Sequence, residues 1–191
     1  MLFRSALALN LPSPSRAAPA PAPAPAKPRV KLGIATYSYW HFRTEKVKVE
    51  TVMDRAAGLG VEGVDLLHRQ MDIGERAPLD AAGRAYLHKL KRHAFRNGLS
   101  IPCVSTHQSF VKADPAELAV EVEHTKKCIE LAYELGCPSI RINTGRWGTT
   151  KSFDQLMADR GIEPVLPGRT EDEGFKWCID GIERCLATAE K

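Results

Sequence analysis

Three evenly spaced glycines constrain the fold more than any other feature of this 191-residue sequence. Gly60, Gly98 and Gly136 lie 38 residues apart, and each follows a segment in which apolar residues recur at helical spacing. Glycine commonly ends a helix because it adopts a positive φ without steric cost. A strand-like segment follows each glycine, so the sequence predicts repeated β/α units whose parallel strands are joined by right-handed helical crossovers.

Four such units are predicted from residue 29 onward. The expected strands cover residues 30–38, 61–67 and 100–106 and a fourth segment from residue 139; the expected helices cover residues 49–59, 80–96, 114–135 and 170–191. Residues 151–169 are expected to form an insertion with a short helical turn at 153–157. A closed (β/α)8 barrel uses eight units in about 250 residues. The pattern therefore predicts either a four-stranded open α/β domain or the first half of a barrel.

Residues 1–28 differ in composition from the rest of the chain. They carry seven of the thirteen prolines, largely alternating with alanine, and such a segment is typical of a disordered, extended tail. They also resemble a weak secretory signal, although their apolar stretch is very short. We expect a cytoplasmic protein, with export through this segment as the alternative.

Charge and cysteine usage exclude several functions. The net charge of +4 falls to +1 from residue 29 onward, where 24 basic side chains face 23 acidic ones, so neither a nucleic-acid nor a membrane partner is expected. The five cysteines are scattered without a Cys-x-x-Cys pair, which suggests neither a zinc site nor a disulfide framework. The sequence has no dinucleotide-binding, phosphate-loop or nucleophile-elbow glycine motif and no compact cluster of His, Asp and Glu at metal-ligand spacing.

The residues that follow the predicted strands are rich in polar and aromatic side chains. In parallel α/β folds the carboxyl ends of the strands form the working edge. Aromatic walls with a few fixed hydrogen-bonding groups suit a polyhydroxylated ligand. The predicted substrate-binding residues at these ends are Tyr39, Trp40, Asp65, His68, His107, Asn143, Arg146 and Trp147.

Structural roles are the alternatives for the same residues. Asp65 would cap a turn, and each histidine would be a core or solvated imidazole. Trp40 and Trp147 would anchor loops on neighbouring helices. Arg141, on the polar face of the fourth strand, would pair with Asp65 or Glu62 inside the sheet.

Three segments carry a resemblance to a known family. Residues 31–38 (KLGIATYS), 56–66 (AAGLGVEGVDL) and 132–137 (AYELGC) resemble the sugar phosphate isomerase/epimerase superfamily, the xylose-isomerase-like TIM barrels. The resemblance extends over residues 29–191. It implies the fold class α/β, with four units that form the amino-terminal half of a (β/α)8 barrel.

The resemblance also implies a divalent metal, Mn, Mg, Co or Zn, at the barrel mouth, and a small-molecule carbohydrate substrate. The metal-binding carboxylates and histidine of such barrels come from the fifth strand onward, so we expect the acid–base and metal residues beyond Lys191 and an inactive isolated chain. Tyr39, Trp40, Asp65, His107 and Asn143 match positions that line the mouth. In the endonuclease branch a histidine after the third strand binds metal, which makes His107 a minority metal candidate here.

The function expected from this resemblance is proton transfer next to a carbonyl, as part of a metal-dependent isomerase or epimerase acting on a sugar, sugar acid or sugar phosphate. Two alternatives stay open. One is a non-catalytic carbohydrate-binding or half-barrel assembly module, which would act as a homo-oligomer or with another chain. The other is the phosphodiesterase activity of the endonuclease branch.

Overall fold

Four parallel strands form one sheet in the order β1-β2-β3-β4. The structure is a computed structural model that describes residues 30–40 and 44–191. The strands are β1 (Gly33–Ala35), β2 (Gly63–Leu67), β3 (Val104–Ser105) and β4 (Ile140–Arg141), and the helices are α1 (Val49–Gly58), α2 (Ala81–Arg96), α3 (Pro115–Leu135), α4 (Phe153–Ala158) and α5 (Glu171–Ala189). The predicted α/β class and the four parallel β/α units are confirmed. The predicted tail at residues 1–28 lies outside the described residues.

Local sequence signals set the helix boundaries. The Asp114 carboxylate caps α3 by accepting a hydrogen bond from the Ala116 N–H at 2.8 Å, with Pro115 at the first helical position. At α5, Thr170 and Glu173 form a reciprocal capping box. The three periodic glycines have φ values of 74°, 66° and 71°, so the repeat arises from left-handed residues that end one helix before the next strand begins.

The strands are shorter than the sequence pattern predicts. The first one turns into a 3₁₀ helix at Thr36–Tyr39, where the Thr36 hydroxyl accepts a hydrogen bond from the Leu67 N–H at 2.9 Å. The Leu67 N–H lies beyond the last β1–β2 pair, and the Thr36 side chain gives it an acceptor. The backbone after β1 therefore does not have to continue as a strand to pair with it. The β1–β2 register pairs Ala35 with Asp65, and the next registers align Leu67, Ser105 and Arg141 across the sheet.

The main core lies between the sheet and helices α1 to α3. It contains Val49, Met53, Leu66, Leu87 and Leu131, each fully buried. Burying a side chain of this size contributes about 1.5–3 kcal/mol. A second cluster joins α3 to α5 around the fully buried Phe110. These two cores hold the helices against the sheet and leave the carboxyl ends of the strands accessible.

None of the helices within the described ranges is both long enough and apolar enough to span a bilayer.

Candidate functional site

A pocket of about 380 Å³ opens where the carboxyl ends of the four strands meet. It is lined by alternate residues of each strand and the loop that follows it, namely Ala35, Tyr37, Asp65, Leu67, Ser105, His107, Arg141 and Asn143. Side chains alternate between the two faces of a sheet, and the parallel register aligns these positions with one another. We call this set the strand-end pocket.

A continuous series of hydrogen bonds crosses the strand-end pocket from β2 to β4. The Ser105 hydroxyl donates to the Asp65 carboxylate, with oxygen–oxygen distances of 2.6 and 2.8 Å, and accepts from Arg141 Nε at 2.9 Å. Arg141 also donates to the Asn143 side-chain oxygen at 3.5 Å. Arg141 and Asp65 are therefore linked through Ser105, so that the buried hydroxyl joins two charges of opposite sign.

A second set of contacts fixes the loops behind this series. The Asn143 amide donates to the Thr106 carbonyl at 3.2 Å, while Gln108 Nε2 donates to the Asn143 carbonyl at 3.1 Å. The Thr106 hydroxyl reaches the Arg141 carbonyl at 3.0 Å. Because Thr106 and Gln108 are buried, these bonds hold Asn143 in one orientation toward the pocket.

The pocket presents donors, acceptors and an aromatic wall. Burial lowers the pKa of His107, and the positive charges of Arg69 and Arg141 lower it further, so its imidazole is neutral near pH 7. A neutral imidazole offers one donor and one acceptor nitrogen. The Tyr37 ring lies 6.5 Å from the His107 ring, centroid to centroid, at an interplanar angle of 45°. Together with the amide of Asn143 and the guanidinium of Arg141, these groups can bind neighbouring hydroxyl or carbonyl oxygens.

The structure brings three of the eight predicted residues, Asp65, His107 and Asn143, into the pocket lining. Tyr39 and Trp40 lie apart from that lining. The Arg55 guanidinium sits 5.3 Å from the Tyr39 ring centroid, and Trp40 Nε1 donates to the Thr44 carbonyl at 3.0 Å. Both contacts are made within the first β/α unit, as expected of side chains that order the loop after β1.

Arg146 and Trp147 make structural contacts in the long loop after β4. Arg146 forms an ion pair with Glu163 at 2.6 Å, and the Glu163 side chain, only 4% exposed, also accepts from the N–H groups of Gly148 and Thr150. The Arg146 hydrogen bond is the main cause that lowers the pKa of Glu163 to about 2. Trp147 packs edge-on against Trp177 of α5, with ring centroids 6.0 Å apart. This matches the loop-anchor alternative for Trp147.

His68 faces helix α3 instead of the strand-end pocket. It follows β2 directly, in a 3₁₀ turn at His68–Gln70, and its ring stacks on His124 with centroids 5.3 Å apart. His68 Nδ1 lies 3.3 Å from Cys128 Sγ, and His124 Nε2 lies 3.8 Å from the same sulfur. We call these three residues the His–Cys cluster.

Two groups of residues were missing from the predicted site. Tyr37 and Ser105 fall within the predicted strands 30–38 and 100–106, and Arg141 lies on the polar face of the fourth, but only the register of the sheet selects them as pocket residues. The scattered cysteines suggested no zinc site, and the structure brings Cys128 within reach of His68 and His124. His124 and Cys128 are four residues apart on α3, a spacing that places both on one helix face, and this was the available signal.

The pocket residues alone do not fit the divalent metal that the family resemblance implies. Catalytic zinc sites use three protein ligands as a rule, and the pocket offers one carboxylate, Asp65, and one imidazole, His107. The Ser105 hydroxyl lies 2.6 and 2.8 Å from the two Asp65 oxygens and donates its one proton to that carboxylate. Among residues 30–40 and 44–191, the one group of three His, Cys, Asp or Glu side chains close enough to share an ion is the His–Cys cluster.

Comparison of the sequence with known protein families identifies the family of this chain. The sequence profile of the xylose isomerase-like TIM barrel matches residues 53–191. The chain belongs to the xylose isomerase-like TIM barrel family. No curated protein matches its sequence significantly. The resemblance read from the sequence is thus confirmed at the level of the family.

Solved structures with the same fold include sugar epimerases. A D-psicose 3-epimerase from Clostridium cellulolyticum H10, solved with D-tagatose, has a TM-score of 0.58 and 16% identity, over 84% of this chain and 49% of its own. A D-psicose 3-epimerase solved in the presence of D-fructose has a TM-score of 0.59 and 17% identity, over 84% and 50%. A mannonate dehydratase from Streptococcus suis serotype 2 has a TM-score of 0.50 and 16% identity, over 84% and 49%. At these identities the likeness concerns the fold, and the chain spans about half the length of the structures it matches.

Proposed function

We propose that the chain supplies part of the substrate site of a sugar isomerase or epimerase that transfers a proton next to a carbonyl group. The substrate class is a sugar, sugar acid or sugar phosphate. The observation that carries the proposal is the strand-end pocket, in which a hydrogen-bonded series of polar side chains lies at the carboxyl ends of parallel strands in a barrel of this family.

The chemistry of the pocket residues supports a polyhydroxylated ligand. Asn143 offers both an amide donor and an acceptor, Arg141 offers several donors, and neutral His107 offers one of each. Neighbouring hydroxyl and carbonyl oxygens of a sugar require such a mixture at fixed positions. Two of the fold neighbours are D-psicose 3-epimerases solved with ketoses, which agrees with this substrate class.

In this function the chain binds and orients the substrate. The metal and the acid–base carboxylates would belong to further β/α units that complete the barrel. A divalent metal would there act as a Lewis acid on the substrate oxygens. In this chain, Asp65 and Arg141 keep the wall of the pocket charged and ordered, while His107 and Asn143 contact the ligand.

Solvent-hydrogen exchange tests the reaction type directly. The protein expressed from its complete coding region is incubated in D₂O with D-fructose, D-tagatose or D-psicose, with and without Mn²⁺, and deuterium at the carbon beside the carbonyl is followed by proton NMR. We expect metal-dependent exchange in at least one ketose. His107→Ala and Asn143→Ala should each slow exchange at least tenfold per folded molecule. The melting temperature should stay within about 2 °C of the wild type for His107→Ala and fall by about 2–6 °C for Asn143→Ala, which also removes the donor to the Thr106 carbonyl.

A matched control is Gln155→Ala, which removes an exposed amide on α4 outside the pocket and should leave exchange unchanged. Saturable sugar binding without exchange would reject the isomerase proposal in favour of a non-catalytic carbohydrate-binding module. Normal exchange in both pocket variants would show that the substrate binds elsewhere.

A further inference from the structure

The His–Cys cluster brings three metal-binding side chains together in the protein core. Cys128 is fully buried, His68 is 1% exposed and His124 is 4% exposed. Their ligand atoms, one from each residue, all lie within 4.8 Å of one another. Two of them, His124 and Cys128, come from one face of α3, and the third comes from the turn that follows β2.

The hydrogen bonding within the cluster is incomplete. The outer ring nitrogens, His68 Nε2 and His124 Nδ1, are buried and have no hydrogen-bond partner among the described residues. The Cys128 thiol has a single proton, so it can donate to only one of the two imidazole nitrogens that face it. An ion held between the sulfur and the two inner nitrogens would use both inner lone pairs at once; the outer nitrogens would then carry the ring protons and would still need acceptors such as water.

The spacing of the ligand atoms matches a soft divalent metal. In tetrahedral zinc sites, with Zn–S near 2.3 Å and Zn–N near 2.0–2.1 Å, the sulfur and nitrogen ligands lie about 3.5 Å apart. The sulfur–nitrogen distances in the cluster, 3.3 Å and 3.8 Å, lie on either side of that value. One thiolate and two imidazoles are ligands that zinc prefers to oxygen-seeking ions such as Mg²⁺.

We propose that His68, His124 and Cys128 bind one zinc ion, which fastens the turn after β2 to the middle of α3. Zinc binding removes the thiol proton to solvent, and each imidazole coordinates through the nitrogen that faces the sulfur. The fourth position would be taken by water from the groove of about 1170 Å³ along α3, which His124 lines together with Arg76 and Lys127. This site uses none of the strand-end pocket residues, so it stands independently of the function proposed above.

The charged side chains around the cluster affect the net charge of the site once an ion is bound. Glu75 and Lys127 act electrostatically on both histidines, while Arg76 and Glu121 act on His124. Glu75 is itself paired with Arg69 at 3.1 Å and Glu121 with Arg76 at 2.9 Å, so these two pairs cancel and Lys127 leaves the surroundings with a charge of +1. A divalent ion with a single thiolate adds one further positive charge, which the solvent at the groove would have to screen.

Cobalt substitution identifies the ligands without reference to catalysis. The purified protein is freed of metal with a chelator and titrated with Co²⁺, which replaces zinc and absorbs in the near ultraviolet when a thiolate binds it. We expect a thiolate-to-cobalt charge-transfer band that saturates at one equivalent per chain and disappears when zinc is added. Zinc should also raise the melting temperature of the metal-free protein.

The matched pair of variants is Cys128→Ser and Cys185→Ser, which change two buried cysteines of different helices. Cys185 donates to the Gly181 carbonyl at 3.2 Å, a bond that serine preserves, so Cys185→Ser should keep the band and the zinc response. Cys128→Ser should lose the band and weaken zinc binding at least tenfold, and His124→Gln should do the same if Cys128→Ser does not fold. A saturated Co²⁺ titration without the band, or wild-type zinc affinity in both site variants, would overturn the proposal.

Discussion

The strand-end pocket and the His–Cys cluster lie on either side of the point where β2 ends, and they treat buried polar groups in opposite ways. In the pocket, the hydroxyl of Ser105 bridges Asp65 and Arg141, so the charges there have partners within the chain. In the cluster, His68 and His124 are buried and each keeps a ring nitrogen without a hydrogen-bond partner among the described residues.

In the pocket the protein itself supplies the hydrogen-bond partners of the charged groups, whereas the cluster has ligand atoms that a bound ion would use. A satisfied polar network stays ordered without a ligand and can bind one by its remaining donors and acceptors. Buried ring nitrogens without partners lower the stability of the ligand-free fold, and an ion bound by the inner nitrogens and the sulfur would add stability by mass action. Three measurements test how the polar groups of each region contribute to stability and binding.

The largest expected effect is loss of stability in acid caused by His68. Burial is the main cause that lowers its pKa from 6.5 to about 4, and the neighbouring His124 lowers it further. Above pH 6.5 the imidazole is neutral in both the folded and unfolded states and contributes no pH dependence. Below that pH the His68 imidazole is protonated in the unfolded state but stays neutral in the folded state. The unfolding free energy of the metal-free protein should therefore fall by about 3 kcal/mol between pH 6.5 and pH 4 because of this residue.

Denaturant unfolding of the metal-free protein across this pH range measures the loss. His68→Leu should remove most of the slope, because it replaces the titrating ring with an apolar side chain that needs no partner. Met71→Leu, a buried and non-titrating position one turn further on, should retain the wild-type slope. An unchanged slope in His68→Leu would mean that the acid sensitivity arises at other groups and that His68 is not held neutral by burial.

The second effect concerns the pocket and should appear at neutral pH. Ser105→Ala removes the hydroxyl between Asp65 and Arg141 and leaves the half-buried Asp65 carboxylate without its donor, so we expect a loss of about 2 kcal/mol in unfolding free energy. Ser139→Ala, which removes an exposed hydroxyl bonded to the Pro102 carbonyl, is the control and should cost less than about 1 kcal/mol. Equal losses for the two serines would mean that the hydrogen-bonded series adds nothing to stability.

Sequence patterns predicted the parts of the fold that depend on neighbouring residues. The helix starts at Asp114 and Thr170 and the helix stops at Gly60, Gly98 and Gly136 are local signals, and the structure places helix ends there. The parallel order of the strands followed from the repeat of these units. The strand lengths could not be predicted from the sequence. A strand that continues and a strand that turns into a 3₁₀ helix can both provide hydrogen-bond partners for the backbone groups that follow it.

The site was predictable only as far as strand alternation applies. Asp65, His107 and Asn143 face the pocket because each stands on the alternating pattern of its strand or its continuation. Tyr39 does not, since the 3₁₀ turn after β1 breaks that pattern and leaves Tyr37 at the pocket instead. The partners of His68 come from a helix about 60 residues later in the chain, and only the packing of α3 on the sheet brings them together.

The smallest effect separates the two roles of Arg146, which the sequence assigns to substrate and the structure pairs with Glu163. The guanidinium is 45% exposed, and the buried Glu163 carboxylate keeps the backbone N–H donors of Gly148 and Thr150, so Arg146→Ala should lower the unfolding free energy by only about 1 kcal/mol. We also expect ketose affinity, measured by calorimetry, to remain within about twofold of the wild type, because Glu163 and the Thr150 carbonyl already occupy the side chain. Arg169→Ala, which breaks a pair with a similarly exposed arginine but a glutamate that is 36% exposed, is the control for stability. A tenfold loss of affinity in Arg146→Ala alone would instead place this arginine at the ligand, and the wall of the pocket would then extend beyond Asn143 into the loop after β4.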